Sequence, residues 1–123
     1  MLSSSKKRPS ASVDFAIDGA IFALFPDGTI DVYHKGEYIK TISYAVEPPL
    51  VSPDKIFTDD RQSYIWILER KNSRIIVLTK EGVFIKQLHF PNIPDIKDIF
   101  VAQDNTLYLL ASDKIYSYMV ALE

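Results

Sequence analysis

The hydrophobic residues of this chain come in short bursts and not in helical stripes. "IFAL" (21–24), "YIWIL" (64–68), "RIIVLT" (74–79) and "LYLL" (107–110) are runs of four to six residues rich in Ile, Val, Phe and Tyr, the side chains that suit a pleated, partly buried backbone. Turn chemistry separates the bursts, as in "PDG" (26–28), "DDRQS" (59–63) and "QDN" (103–105), where Asp and Asn bond their own backbone and Gly takes positive φ. No segment sustains an apolar period of 3.6, and Pro48, Pro49, Pro53, Pro91 and Pro94 crowd two stretches of the chain where a continuous helix would otherwise have to run. The pattern predicts an all-β chain.

The bursts also repeat. "KGEYIKTI" (35–42) returns as "EGVFIKQL" (81–88), with Gly36 matched to Gly82 and Lys40 to Lys86. Phe15, Phe57 and Phe100 fall into step, as do Ile21, Ile65 and Leu107, and Ile30, Ile75 and Ile115. The interval is a little over forty residues, the length of one four-stranded propeller blade.

Three units follow: 9–46, 53–90 and 94–123, preceded by a Ser- and Lys-rich tail or linker at 1–8. The first two are expected to hold four strands each, "VDFAI", "AIFALF", "TIDVYH" and "EYIKTISY", then "KIFT", "YIWIL", "RIIVLT" and "VFIKQLHF". The second strands are apolar at nearly every position, as in a sheet covered on both faces. The fourth strands mix polar and apolar residues, as suits an outer edge. In the third unit "KIYSYM" (114–119) reads as a third strand, and a fourth would start near Ala121. The expectation is an antiparallel β-propeller segment of three blades with 4+4+3 strands, an incomplete ring and an open edge at the C-terminus; a different all-β arrangement such as an 11-strand sandwich is the alternative.

"LERKNSRIIVLTKEGVFIKQL" (68–88) resembles an NHL-type propeller repeat, with Asn72 and Arg74 at the loop positions and Gly82 in the turn before the outer strand. Thr29 and Lys114 stand where Arg74 does in the other units. The resemblance implies a six-bladed type of ring, completed by the remaining blades of a larger propeller or multidomain protein, of which this would be the C-terminal part, or by a second copy in a homodimer. It also implies an enzyme alternative, a lactonase-like or lyase-like propeller whose channel carboxylates hold calcium in a complete ring.

Composition narrows this further. The chain has 47% hydrophobic and 24% charged residues, which suits a folded body. No cysteine is present, which removes disulfides and thiolate zinc sites. Formal net charge is −2, and with Lys6, Lys7 and Arg8 set aside the rest is more acidic still, so no nucleic-acid partner is expected. No apolar run reaches the length of a membrane span or of a signal peptide core, so a soluble chain in the cytoplasm is the expectation.

Candidate chemistry is sparse. Asp14, Asp18, Asp59, Asp60, Asp98 and Asp104 lie where inner strands would border a channel, and Asp18, Asp59 and Asp104 are the metal candidates, although Asp is equally at home in the turns that those positions predict. No general acid and base pair, partnered nucleophile or glycine-rich phosphate loop is legible, so no catalytic residue and no cofactor is assigned. Phe22, Trp66 and Tyr108 take equivalent places and read as core between blades. The charged stretch Glu69, Arg70, Lys71, Asn72 and Arg74 is the candidate contact loop. The expected function is a non-catalytic interaction or scaffold module with a protein partner.

Overall fold

The computed structural model describes residues 9–122; the expected tail at 1–8 lies outside them. After a 3₁₀ turn at Pro9–Ala11 come eleven strands: β1 (Asp14–Ile17), β2 (Ile21–Leu24), β3 (Ile30–His34), β4 (Glu37–Ile42), β5 (Lys55–Phe57), β6 (Tyr64–Glu69), β7 (Arg74–Thr79), β8 (Phe84–His89), β9 (Asp98–Val101), β10 (Thr106–Leu110) and β11 (Ile115–Met119). They form three separate antiparallel meanders, β1-β2-β3-β4, β5-β6-β7-β8 and β9-β10-β11. These are sheets 1, 2 and 3.

Strand register makes the repeat exact at the level of single residues. Phe22 pairs with Val32, Trp66 with Val77 and Tyr108 with Ser117, so the three aromatics are structural equivalents. In the first strands the register corrects the sequence alignment: Phe57 lies opposite Trp66 and Phe100 opposite Tyr108, but the residue opposite Phe22 is Ala16. Phe15 is thus equivalent to Ile56 and Ile99, one place out of step with the other two phenylalanines. Side chains alternate between faces, so that single step places Phe15 on the opposite side of its sheet.

The outer hairpins of sheets 1 and 2 share a second detail. Between Val32 and Tyr33, and again between Val77 and Leu78, the pairing shifts by one residue. The extra residue is Ile39 in β4 and Ile85 in β8, and both are exposed, as expected where a bulge turns one side chain off the ladder. Gly82 opens the second hairpin at φ +98°, and a Cβ there would come within 2.6 Å of Ile42 Cγ2. Glycine is required by conformation and by space.

Two apolar layers hold the sheets together. Phe22, Leu24, Ile30 and Val32 of sheet 1 pack on Ile56, Ile65, Ile67, Ile76 and Leu78 of sheet 2. The other face of sheet 2, with Trp66, Leu68, Ile75 and Val77, packs on Ile99, Val101, Leu107 and Leu109 of sheet 3. Every residue from Ile65 to Leu68 and from Ile75 to Leu78 is fully buried. At about 25 cal/mol per Å² of apolar surface removed from water, these two layers are the main source of stability.

Polar groups follow the same order. Trp66 Nε1 donates to Gln62 Oε1 at 3.0 Å, while Gln62 Nε2 donates to the Ala102 carbonyl at 2.8 Å. That chain satisfies the indole N–H and ties sheet 2 to sheet 3 without leaving a buried donor unpaired. Between sheets 1 and 2, Asp14 Oδ2 accepts the Ile56 N–H at 3.0 Å, joining β1 to β5. No helix of the described residues is long and apolar enough to cross a membrane.

Candidate functional site

The charged turn between β6 and β7 divides into a buried clamp and an exposed rim. Glu69 and Arg74 are hairpin partners that close the ladder, and both are 0% exposed. They do not form part of a contact surface, contrary to the expectation for the whole stretch 69–74. The reason is that their partners come from the segment connecting sheets 1 and 2. Glu69 Oε2 accepts the N–H groups of Val51 and Ser52 at 2.7 and 2.9 Å, and Oε1 accepts from Asn72 Nδ2 and Arg74 Nε, each at 2.8 Å. Arg74 also donates to Gln87 Oε1 at 2.6 Å and to the Pro49 carbonyl at 3.1 Å.

Burial alone would raise the Glu69 pKa, but the N–H of Ser52, the Asn72 amide, the N–H of Val51 and Arg74 outweigh it. The result is a carboxyl held down at about 2. A carboxylate with four donors is anionic and occupied, a structural anchor with no lone pair left for a substrate proton.

On this anchor stand Arg70, Lys71 and Asn72, in a single 3₁₀ turn closed by Ser73 at φ 49°. All three are exposed. The Arg70 N–H donates to Asp54 Oδ2 at 2.7 Å, and its guanidinium pairs with Asp95 from the segment leading into β9. Lys97 also reaches Asp95, at 3.0 Å, and Lys97 with Arg70 holds that carboxyl below its usual range. Ser52, Asp54, Arg70, Lys71, Ser73 and Asp95 thereby line a polar hollow of about 290 Å³ between sheets 2 and 3.

The metal candidates are not brought together. Asp18 Oδ1 accepts the Ala20 N–H, Asp59 Oδ1 the Arg61 N–H and Asp104 Oδ1 the Thr106 N–H, each at 3.0 Å. Each carboxylate caps its own β-turn. Asp18 additionally pairs with Lys80, whose ammonium also donates to the Asp59 carbonyl at 3.2 Å. This links the turns of sheets 1 and 2 through a cation, which opposes binding of a second one. Among the described residues no three His, Cys, Asp or Glu side chains cluster as metal ligands. Asp14 is engaged by the Ile56 N–H and Asp98 by the Ile99 N–H at 2.9 Å; Asp60 is exposed.

The aromatics separate by position. Phe22 and Trp66 are buried between sheets, whereas the equivalent Tyr108 is 39% exposed. It shares the outer face of sheet 3 with Phe100, Leu110 and Ile115, all exposed.

No family model matches the chain, and no curated protein matches it. Among solved structures it is similar to Hsv2 of Kluyveromyces lactis with its complete loop 6CD, at 14% identity and TM-score 0.67 over 90% of this chain and 33% of that one. It is similar to streptogramin B lyase, at 18% identity and TM-score 0.64 over 94% of this chain and 43% of that one. A third likeness is to BamB from Moraxella catarrhalis, at 14% identity and TM-score 0.55 over 84% of this chain and 30% of that one. All three are β-propeller proteins. At these identities the likeness shows the fold alone: the chain is a partial β-propeller with NHL-like repeats, and its three sheets are blades. It spans about a third of the length of the first matched structures.

Proposed function

We propose that this three-bladed segment is a non-catalytic interaction module, whose ring is completed by blades beyond the three and whose contact surface for a protein partner is the rim Arg70–Asn72. The observation that supports this reading is the pairing of an exposed, charged turn with a fully buried clamp directly beneath it. A recognition loop of this kind is presented with little entropy left to lose on binding. The Hsv2 and BamB likenesses suit a propeller of this use.

A propeller enzyme is the second reading, favoured by the likeness to streptogramin B lyase. It would need oxygen ligands released from the turns that Asp18, Asp59 and Asp104 now cap.

Two measurements separate the readings. A photoreactive residue in place of Lys71 is expected to capture a protein partner that the same group in place of Lys114, in the equivalent turn of the third blade, does not; capture should be lost in Arg70→Glu. Calcium should leave the melting temperature unchanged. A calcium-dependent rise of several degrees, abolished by Asp59→Asn, would transfer support to the enzyme.

A further inference from the structure

The repeat assigns a direction to every side chain, and that direction exposes two matching half-interfaces at opposite ends of the chain. Phe22 points from blade 1 into blade 2, and Trp66 from blade 2 into blade 3. Tyr108 is their equivalent by register, so it points to where a next blade would stand. Leu110 likewise continues the series Leu24, Leu68, and Ile115 the series Ile30, Ile75. At the other end, Phe15 and Ile21 are the equivalents of Ile56 and Ile65, which pack on the preceding blade. Phe15 and Ile21 are exposed.

A polar contact follows the same series. Asp14 is opposite Leu24 and Asp98 opposite Leu110, so Asp98 is the equivalent of Asp14. Asp14 accepts the N–H of Ile56 in the next blade's inner strand. Asp98 is exposed and bonds its own neighbour, Ile99, through Oδ1, which leaves Oδ2 on the open side. The residue equivalent to Ile56 in blade 1 is Phe15, whose N–H by the same register points out of its sheet's inner edge.

We propose that two copies of this chain dock head to tail, the outer face of blade 3 of each on the outer face of blade 1 of the other, closing a six-bladed ring in which Asp98 accepts the partner copy's Phe15 N–H. Both halves of the contact belong to one chain, and the contact they would make continues one that the chain already makes twice. The receiving face is also shaped for it. Where blade 3 sets Leu109 against the Trp66 layer, blade 1 has Ala23, and a hollow of about 680 Å³ opens among Val13, Phe15, Ile21, Ala23 and Tyr33. Tyr108 is the side chain that the repeat directs toward it. Six blades fall within the four to eight that close a propeller, and a heterologous contact that closes after two copies leaves no free end.

This inference does not depend on the contact loop of the proposed function, because Arg70 and Lys71 take no part in it. The test is the solution mass of the chain by sedimentation equilibrium at micromolar concentration. The expected result is twice the 14.0 kDa of one chain. Tyr108→Asp and, separately, Phe15→Asp should each weaken the dimer roughly 30-fold or more, and Asp98→Ala about tenfold, with β-sheet circular dichroism unchanged because the altered side chains are exposed.

Mixing the Tyr108→Asp and Phe15→Asp chains provides a control against misfolding. Each mixed pair regains one intact contact, so a dimer should reappear on mixing equal amounts. A monomer at all concentrations, as expected if the remaining blades belong to the same polypeptide, would overturn the proposal. A dimer indifferent to both substitutions, or variants that fail to complement, would overturn it equally.

Discussion

The second and third blades are built from nearly the same residues and reach different environments. "YIWIL" and "TLYLL" are second strands of equal apolar character; β6 is buried along Ile65–Leu68, while β10 alternates between buried and exposed. The difference is the neighbour. Blade 2 has a sheet on each side, and blade 3 has one on a single side. An apolar strand in this repeat therefore records what its blade is meant to touch and not what it touches in one chain. The alternating burial of β10 is a sandwiched strand with half of its cover missing.

Substitutions at matched positions sharpen the contrast. Trp66→Ala removes a fully buried side chain and the indole N–H bonded to Gln62, and should cost about 3–5 kcal/mol in urea unfolding. Tyr108→Ala, at the equivalent place, should cost the single chain at most about 1 kcal/mol. Equal losses would break the comparison.

The next pair tests the clamp. Glu69→Gln leaves the buried Arg74 guanidinium without its counter-charge and should cost about 3 kcal/mol. The positions of Glu69 and Arg74 are filled in blade 3 by Ala111 and Lys114. Lys114 is exposed over the Tyr116 ring at 4.9 Å, and Lys114→Ala should cost about 0.5 kcal/mol or less.

Acid should act through the same asymmetry. The Glu69 pKa is lowered in the folded chain from an ordinary 4.5 to about 2, so its contribution is fully present above pH 4.5. It is lost as pH falls from there through about 2, and amounts to roughly 3 kcal/mol. In Glu69→Gln the slope of unfolding free energy against pH over that interval should become shallower. An unchanged slope would remove Glu69 as the acid-sensitive anchor.

Much of the fold was legible in the sequence for physical reasons that are local. β-Branched bursts, Asp-capped turns and the paired hairpin glycines Gly36 and Gly82 each specify their element without distant help, and the resulting 4+4+3 strands are those observed. The phase of the first strand was not legible. Phe15 and Ala16 are both apolar, and hydrophobicity cannot show a one-residue slip when neighbours on both faces accept apolar side chains.

The clamp was missed for a different reason. Charged residues are normally found at the surface, and what buries Glu69 is backbone N–H from Val51 and Ser52, which no side-chain pattern announces. The available signal was that Glu69 and Arg74 abut two wholly apolar strands, the position of a ladder's last pair and not of a loop tip. Tyr108 was placed correctly in its series, but a single chain provides no blade to cover it.

Amide hydrogen exchange along β7 and β11 tests the central claim most directly, because these are the equivalent third strands of a blade with its outer strand and a blade without one. The account predicts that Ile75–Leu78 exchange only through global unfolding, while the β11 amides that point away from β10 exchange orders of magnitude faster, near the rates of surface loops. Protection of all β11 amides to the level of β7 would mean that a fourth strand covers that edge, and would contradict a third blade that ends open.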